Sequence, residues 1–67
     1  MNRSKMKLKR INKGLTQQDL GKVTNTGLTT IVKLEKGEIE GTRVRTLQKI
    51  ARALDTNVID LFFSEDE

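Results

Sequence analysis

Turn signals cut this chain into pieces that only short helices can fill. They fall at Gly14, at the TNTG stretch of residues 24–27, at GEIEGT (residues 37–42) and at DTN (residues 55–57). Between them apolar residues recur three and four apart rather than in alternation, the spacing of helices and not of strands. Residues 5–13, with Met6, Leu8 and Ile11 leading to Leu15, give a first amphipathic helix stopped by Gly14. Thr16 caps a second: its hydroxyl can accept from the Asp19 N–H, and Asp19 favours the positive end of the helix dipole. That helix reaches about Val23, with Leu20 and Val23 inward.

In TNTG, Asn tolerates left-handed backbone and Gly adopts it freely. A third helix follows, from about Gly27 to Lys36, and Gly37 ends it. Its β-branched run TTIV could suit a strand, but the Ile31-to-Leu34 spacing favours helix. Thr42 then caps a fourth helix with Val44, Leu47, Ile50, Ala51 and Leu54 on one face, and Asp55 takes its exit. Asn57 caps a final short helix whose apolar face is Val58, Leu61 and Phe62. The expected fold is all-α: one compact five-helix domain over residues 1–63, followed by a short acidic tail, residues 64–67.

Sixty-seven residues leave room for one small domain. Folding at that size buries roughly 60% of the extended chain's surface, so stability should be a few kcal/mol and dimerisation would help. Without His or Cys there is no imidazole base and no thiolate metal site; no carboxylate pair, phosphate loop or metal-ligand spacing appears either. An enzyme is therefore not expected, nor a cofactor or metal. The missing cysteine fits a reducing cytoplasm, and no apolar run approaches the roughly 20 residues that span a bilayer.

The net charge of +4 is unevenly placed. Arg3, Lys5, Lys7, Lys9, Arg10 and Lys13 crowd one end without an acid, while Asp55, Asp60, Glu65, Asp66 and Glu67 crowd the other without a base. One end attracts phosphate and the other repels it.

The third helix carries the most informative face. At about 100° per residue, Ile31 and Leu34 define its buried direction. Thr29 and Lys36 then point almost opposite, Val32 and Lys33 about 130° away, and Leu28 sits at the boundary. Hydroxyl, cationic and small apolar groups without an acid suit a major groove, where Lys donates to guanine, Thr donates or accepts, and an aliphatic group packs on a thymine methyl. A solvated helix face with stray apolar residues is the plainer alternative. Two helices of about eight residues joined by a four-residue turn match helix-turn-helix spacing, and that tips the balance toward DNA.

GLTQQDLGKVTNTGLTTIVKLEKG (residues 14–37) and TLQKIARALDTNVIDLF (residues 46–62) resemble the Cro/CI-type, lambda-repressor-like helix-turn-helix regulators over most of the chain. The resemblance implies a DNA-binding domain with its helix-turn-helix at helices 2 and 3. It implies that Gln17 contacts phosphate and braces the recognition helix, that Gly27, Leu28, Thr29, Val32 and Lys33 face DNA, and that Lys36 and Arg43 lie near the sugar-phosphate backbone or adjacent minor groove. Gly21 stands where Ala is usual, Thr26 where an apolar turn residue is usual, and Gly27 where Ser or Thr often caps. Leu28 could therefore face DNA or fold inward to replace the missing apolar contact at 26. The 38–42 loop is one residue longer than the usual pattern. Glu35 is expected in a structural ion pair with the arginines of the fourth helix.

The leading expectation is a cytoplasmic, sequence-specific regulator of double-stranded DNA, a repressor binding a palindromic operator as a homodimer. Ile59, Phe62 and Phe63 are the dimer-interface candidates, with Phe62 also able to cap the monomer core. The second reading is an antitoxin-like protein whose final helix and acidic tail cover a partner protein while it represses its own gene. RNA binding is disfavoured because the only aromatics, Phe62 and Phe63, are adjacent in the last helix.

Overall fold

A computed structural model describes residues 5–63; Arg3 and the acidic tail, residues 64–67, lie outside the described residues. Four α-helices, α1 (Lys5–Asn12), α2 (Gln17–Thr24), α3 (Leu28–Glu35) and α4 (Val44–Ala53), are followed by a single wide π-helical turn, α5 (Ile59–Phe63). No strand occurs among the described residues.

The helix ends follow local chemistry. Thr16 Oγ1 accepts from the Asp19 N–H at 3.0 Å, and Asp19 Oδ2 accepts from the Thr16 N–H at 3.0 Å, so two donors at the start of α2 are satisfied reciprocally. Each of α1 to α4 closes with a left-handed residue and a hydrogen bond reaching back five positions: Leu15 N–H to Arg10 O, Thr26 N–H to Gly21 O, Glu38 N–H to Lys33 O and Thr56 N–H to Ala51 O. The left-handed positions are Gly14, Asn25, Gly37 and Asp55. Gly27, by contrast, is extended (φ −64°, ψ 149°), so Asn25 alone supplies the left-handed step between α2 and α3. Asn57 caps α5 as expected, accepting from the Asp60 N–H at 2.8 Å.

These caps hold α2 between α3 and α4, while α1 packs on α3 and α5. The core is Met6, Leu20, Ile31, Leu34, Leu47, Ile50, Ala51, Leu54 and Leu61. Leu15, Ile39, Val58 and Phe62 pack against it, so Phe62 serves the monomer core.

The structure corrects several expectations drawn from the periodicity. Val23 is exposed and Thr24 is buried instead, because the Thr24 hydroxyl donates to the Leu20 carbonyl at 2.7 Å and so enters the interior satisfied. Val44 is exposed at the first position of α4. Leu8 and Ile11 are half exposed: the inner face of α1 is Met6 and Arg10, one turn apart, and both lie well round the helix from it. Arg43 rather than Thr42 is the N-cap of α4, and it makes no side-chain cap. Gly21 allows more than close helix approach. A Cβ there would stand 2.7 Å from the Thr26 carbonyl oxygen, so the backbone of the turn itself lies over this glycine.

The Thr16–Asp19 box makes stability depend on pH. The Thr16 N–H, then the Thr16 hydroxyl, then nearby Lys22 hold the Asp19 carboxyl below its ordinary value. A carboxylate depressed in the folded state stabilises fully above its unfolded pKa and loses that contribution as pH falls through the folded one. Wild type should therefore lose Tm between neutral pH and about pH 3 more steeply than Asp19→Asn, compared by circular dichroism. Parallel curves for the two proteins would remove Asp19 from the account.

Candidate nucleic-acid interface

The helix-turn-helix unit is built from α2, the turn at residues 25–27 and α3. Ile31 and Leu34 are the buried residues of α3, which fixes its rotation against α2. Thr29, Lys33 and Lys36 are exposed on the side turned away from the core. Leu28 is 44% exposed and is not part of the core cluster, so it does not fold inward. Thr26 is half buried instead, and its hydroxyl donates to the Thr24 carbonyl at 3.3 Å. Val32 is half buried, lying between the free face and the core. Gly27 is exposed and caps α3 without a side chain.

A charged clamp sets the far end of α3. Arg10 Nε donates to Glu35 Oε2 at 2.6 Å, and a second guanidinium nitrogen donates to the Leu15 carbonyl at 2.7 Å. Gln17 Nε2 donates to Glu35 Oε1 at 3.1 Å. Glu35 thus joins α1 and the start of α2 to the end of α3, and not the arginines of α4 as its sequence neighbourhood suggested. Arg10 correspondingly leaves the phosphate-attracting group: it is 8% exposed and committed inward. Gln17 is half buried in this bracing role, yet its amide carries a second donor hydrogen.

Arg43 is exposed beside the 38–42 loop, at the entrance to α4. Around the turn, Gln18, Lys22, Asn25, Gly27 and Leu28 line an open recess. Sequence reasoning passed over Gln18 and Lys22. Their spacing of four on α2, on the side away from Leu20, was the available signal.

A cationic row on α4, Arg45, Lys49 and Arg52, borders a different groove with Val23 of α2. Gly21 and Val23 point about 200° apart on α2. A Cβ at Gly21 would lie 3.8 Å from Ile31 of α3, so this row flanks α2 on the side away from α3 and is separate from the α3 face.

The polar groups turned outward on α3 are donors or hydroxyls, with Lys33 and Lys36 contributing positive charge. Held rigidly by the Glu35 clamp, such a surface can donate to base-edge acceptors and phosphate oxygens. No described helix is long and apolar enough to cross a membrane.

Comparison with known proteins agrees with this geometry. A helix-turn-helix family profile matches residues 6–61. An uncharacterized HTH-type transcriptional regulator from Archaeoglobus fulgidus is 37% identical over 65 residues, covering 97% of this chain and 91% of that protein. No solved structure matches significantly. The chain belongs to the Cro/CI-type helix-turn-helix family of DNA-binding transcriptional regulators, which is not a family of enzymes.

Proposed function

We propose that this regulator is a cytoplasmic repressor that recognises a palindromic operator in double-stranded DNA as a homodimer. The observation that carries the reading is the rotation of α3: Ile31 and Leu34 are locked inward, while Thr29, Lys33 and Lys36 face solvent together. Thr29 and Lys33 read bases. Lys36, the remaining amide hydrogen of Gln17, and Arg43 contact the sugar-phosphate backbone or the adjacent minor groove and set register.

Selection of the purified protein against a random duplex library at about 150 mM salt tests this reading, because non-specific binding is weakened there. The expected product is a palindrome with half-sites roughly one helical turn, about 34 Å, apart. Enrichment of an asymmetric single site would sink the dimer; no enrichment would sink the operator.

Ile59 and Phe63, 68% and 56% exposed on α5, are the proposed dimer contacts. Phe62, the third candidate, is partly buried against the core, which favours its monomer role over the interface. Phe63→Ser should raise the dimer dissociation constant about tenfold or more in analytical ultracentrifugation, consistent with losing most of a buried Phe, and leave the monomer's Tm within a few degrees. An unchanged dimer would remove Phe63 from the interface. The same exposed pair could cover a partner protein in an antitoxin-like role. A stable complex with a neighbouring gene's product that displaces the homodimer would favour that reading.

A further inference from the structure

We infer that Leu28 and Val32 form a methyl-reading edge on α3, so that each operator half-site must present a pyrimidine C5-methyl group, that of thymine, opposite them. The inference rests on the proposed insertion of α3 into the major groove and specifies what one flank of that helix demands there.

Leu28 and Val32 are four residues apart and share one side of α3. Leu28 adjoins Gln18 and Lys22 of α2 across the recess, and Val32 stands about 40° from Leu28 and about 100° from Lys33 round the helix. Leu28 is 44% exposed and Val32 half buried, and neither belongs to the buried core. Leu28 and Val32 flank Thr29 on α3, so with Thr29 at the base edges the exposed apolar surface of this flank meets the groove floor as well. The only apolar group that B-DNA shows on that floor is the C5-methyl of thymine. Cytosine and both purines present polar edges, so any of them opposite this edge would lose hydration without a hydrogen bond in return.

Gly27 supports the same placement independently. Its backbone is extended, with negative φ, and a Cβ added there would meet nothing within 4 Å. Neither backbone conformation nor packing requires glycine at this position. A residue without a side chain at the entrance of α3 allows the DNA backbone to approach closely, which brings the first turn, and Leu28 within it, to the base edges.

The test uses the full-length protein and the operator obtained by selection, with each thymine in turn replaced by uracil, which removes the methyl and nothing else. One symmetry-related pair of replacements should weaken wild-type binding about fourfold per half-site, or about fifteenfold for the dimer, the expected effect of one buried methyl group. Leu28→Ala, which leaves only Val32 on this edge, should discriminate thymine from uracil clearly less than wild type, with Tm near that of wild type because Leu28 lies outside the core. Restoring the methyl as 5-methylcytosine, paired with guanine, should recover part of the loss for wild type and less for Leu28→Ala.

Wild-type affinity indifferent to every thymine-to-uracil change overturns the inference while leaving operator binding intact. Full discrimination retained by Leu28→Ala overturns it as well. Failure to select any operator would overturn the underlying DNA-reading proposal, and this inference with it.

Discussion

Glu35→Ala should leave most of the chain unfolded at 25 °C. Among the described residues the carboxylate is the only acid partner of Arg10, whose side chain is 10% exposed, and the Glu35 side chain is itself 7% exposed. Its removal leaves a buried guanidinium with the Leu15 carbonyl as its remaining acceptor among the described residues, and takes the acceptor from Gln17 as well. Breaking one side of a buried pair costs about 3–5 kcal/mol, comparable with the whole stability of a domain this small. Replacing both partners is a different matter. Arg10→Met with Glu35→Leu removes the charge and the demand for it together, and such exchanges are often neutral or stabilising. The double variant should thus regain most of the helical signal and cooperative urea unfolding that Glu35→Ala loses. A single variant melting within about 5 °C of wild type, worth roughly 1 kcal/mol at this size, would show that the pair does not hold α3 in place.

That clamp also marks where sequence reading stops. The caps were legible because their partners lie three to five residues apart: Thr16 with Asp19, Gly14 after α1, Gly37 after α3. The inward face of α4 was legible because Leu47, Ile50, Ala51 and Leu54 repeat over about two turns, enough to define a direction. The outward face of α3 followed from Ile31 and Leu34 by the same reasoning. Arg10 was not legible. In the sequence it is one cation in a run of them, and only the packing of α1 against α3 brings it to Glu35, twenty-five residues on. Thr24 was missed for a subtler reason. It reads as the first residue of the TNTG turn, but it closes α2, and a hydroxyl that bonds its own helix no longer needs water. Val23, freed from the core by that exchange, borders the cationic groove of α4 instead.

The face of α3 was legible as a surface, but how its side chains divide between bases and phosphate is decided by binding measurements, and the largest effect is expected there. Thr29→Ala combined with Lys33→Ala should lower operator affinity by roughly 30-fold to 10,000-fold per half-site, since each base contact contributes about 1–3 kcal/mol of discrimination. The loss cannot continue below the protein's affinity for random duplex, which typically lies 10³- to 10⁷-fold above the operator Kd. Random-duplex affinity itself should move only a few fold, because the phosphate contacts remain. Lys36→Ala should behave in the opposite way. Operator and random duplex should weaken together, and the slope of log affinity against log salt should become shallower by about one unit per half-site. The two variants thus separate base reading from phosphate binding on one helix face. Both should retain wild-type Tm, since Thr29, Lys33 and Lys36 are all exposed and make no ion pair with a described carboxylate. Measured by fluorescence anisotropy across a salt series, an equal loss on both DNAs for the Thr29, Lys33 pair would make these side chains phosphate contacts and move sequence reading elsewhere on the protein.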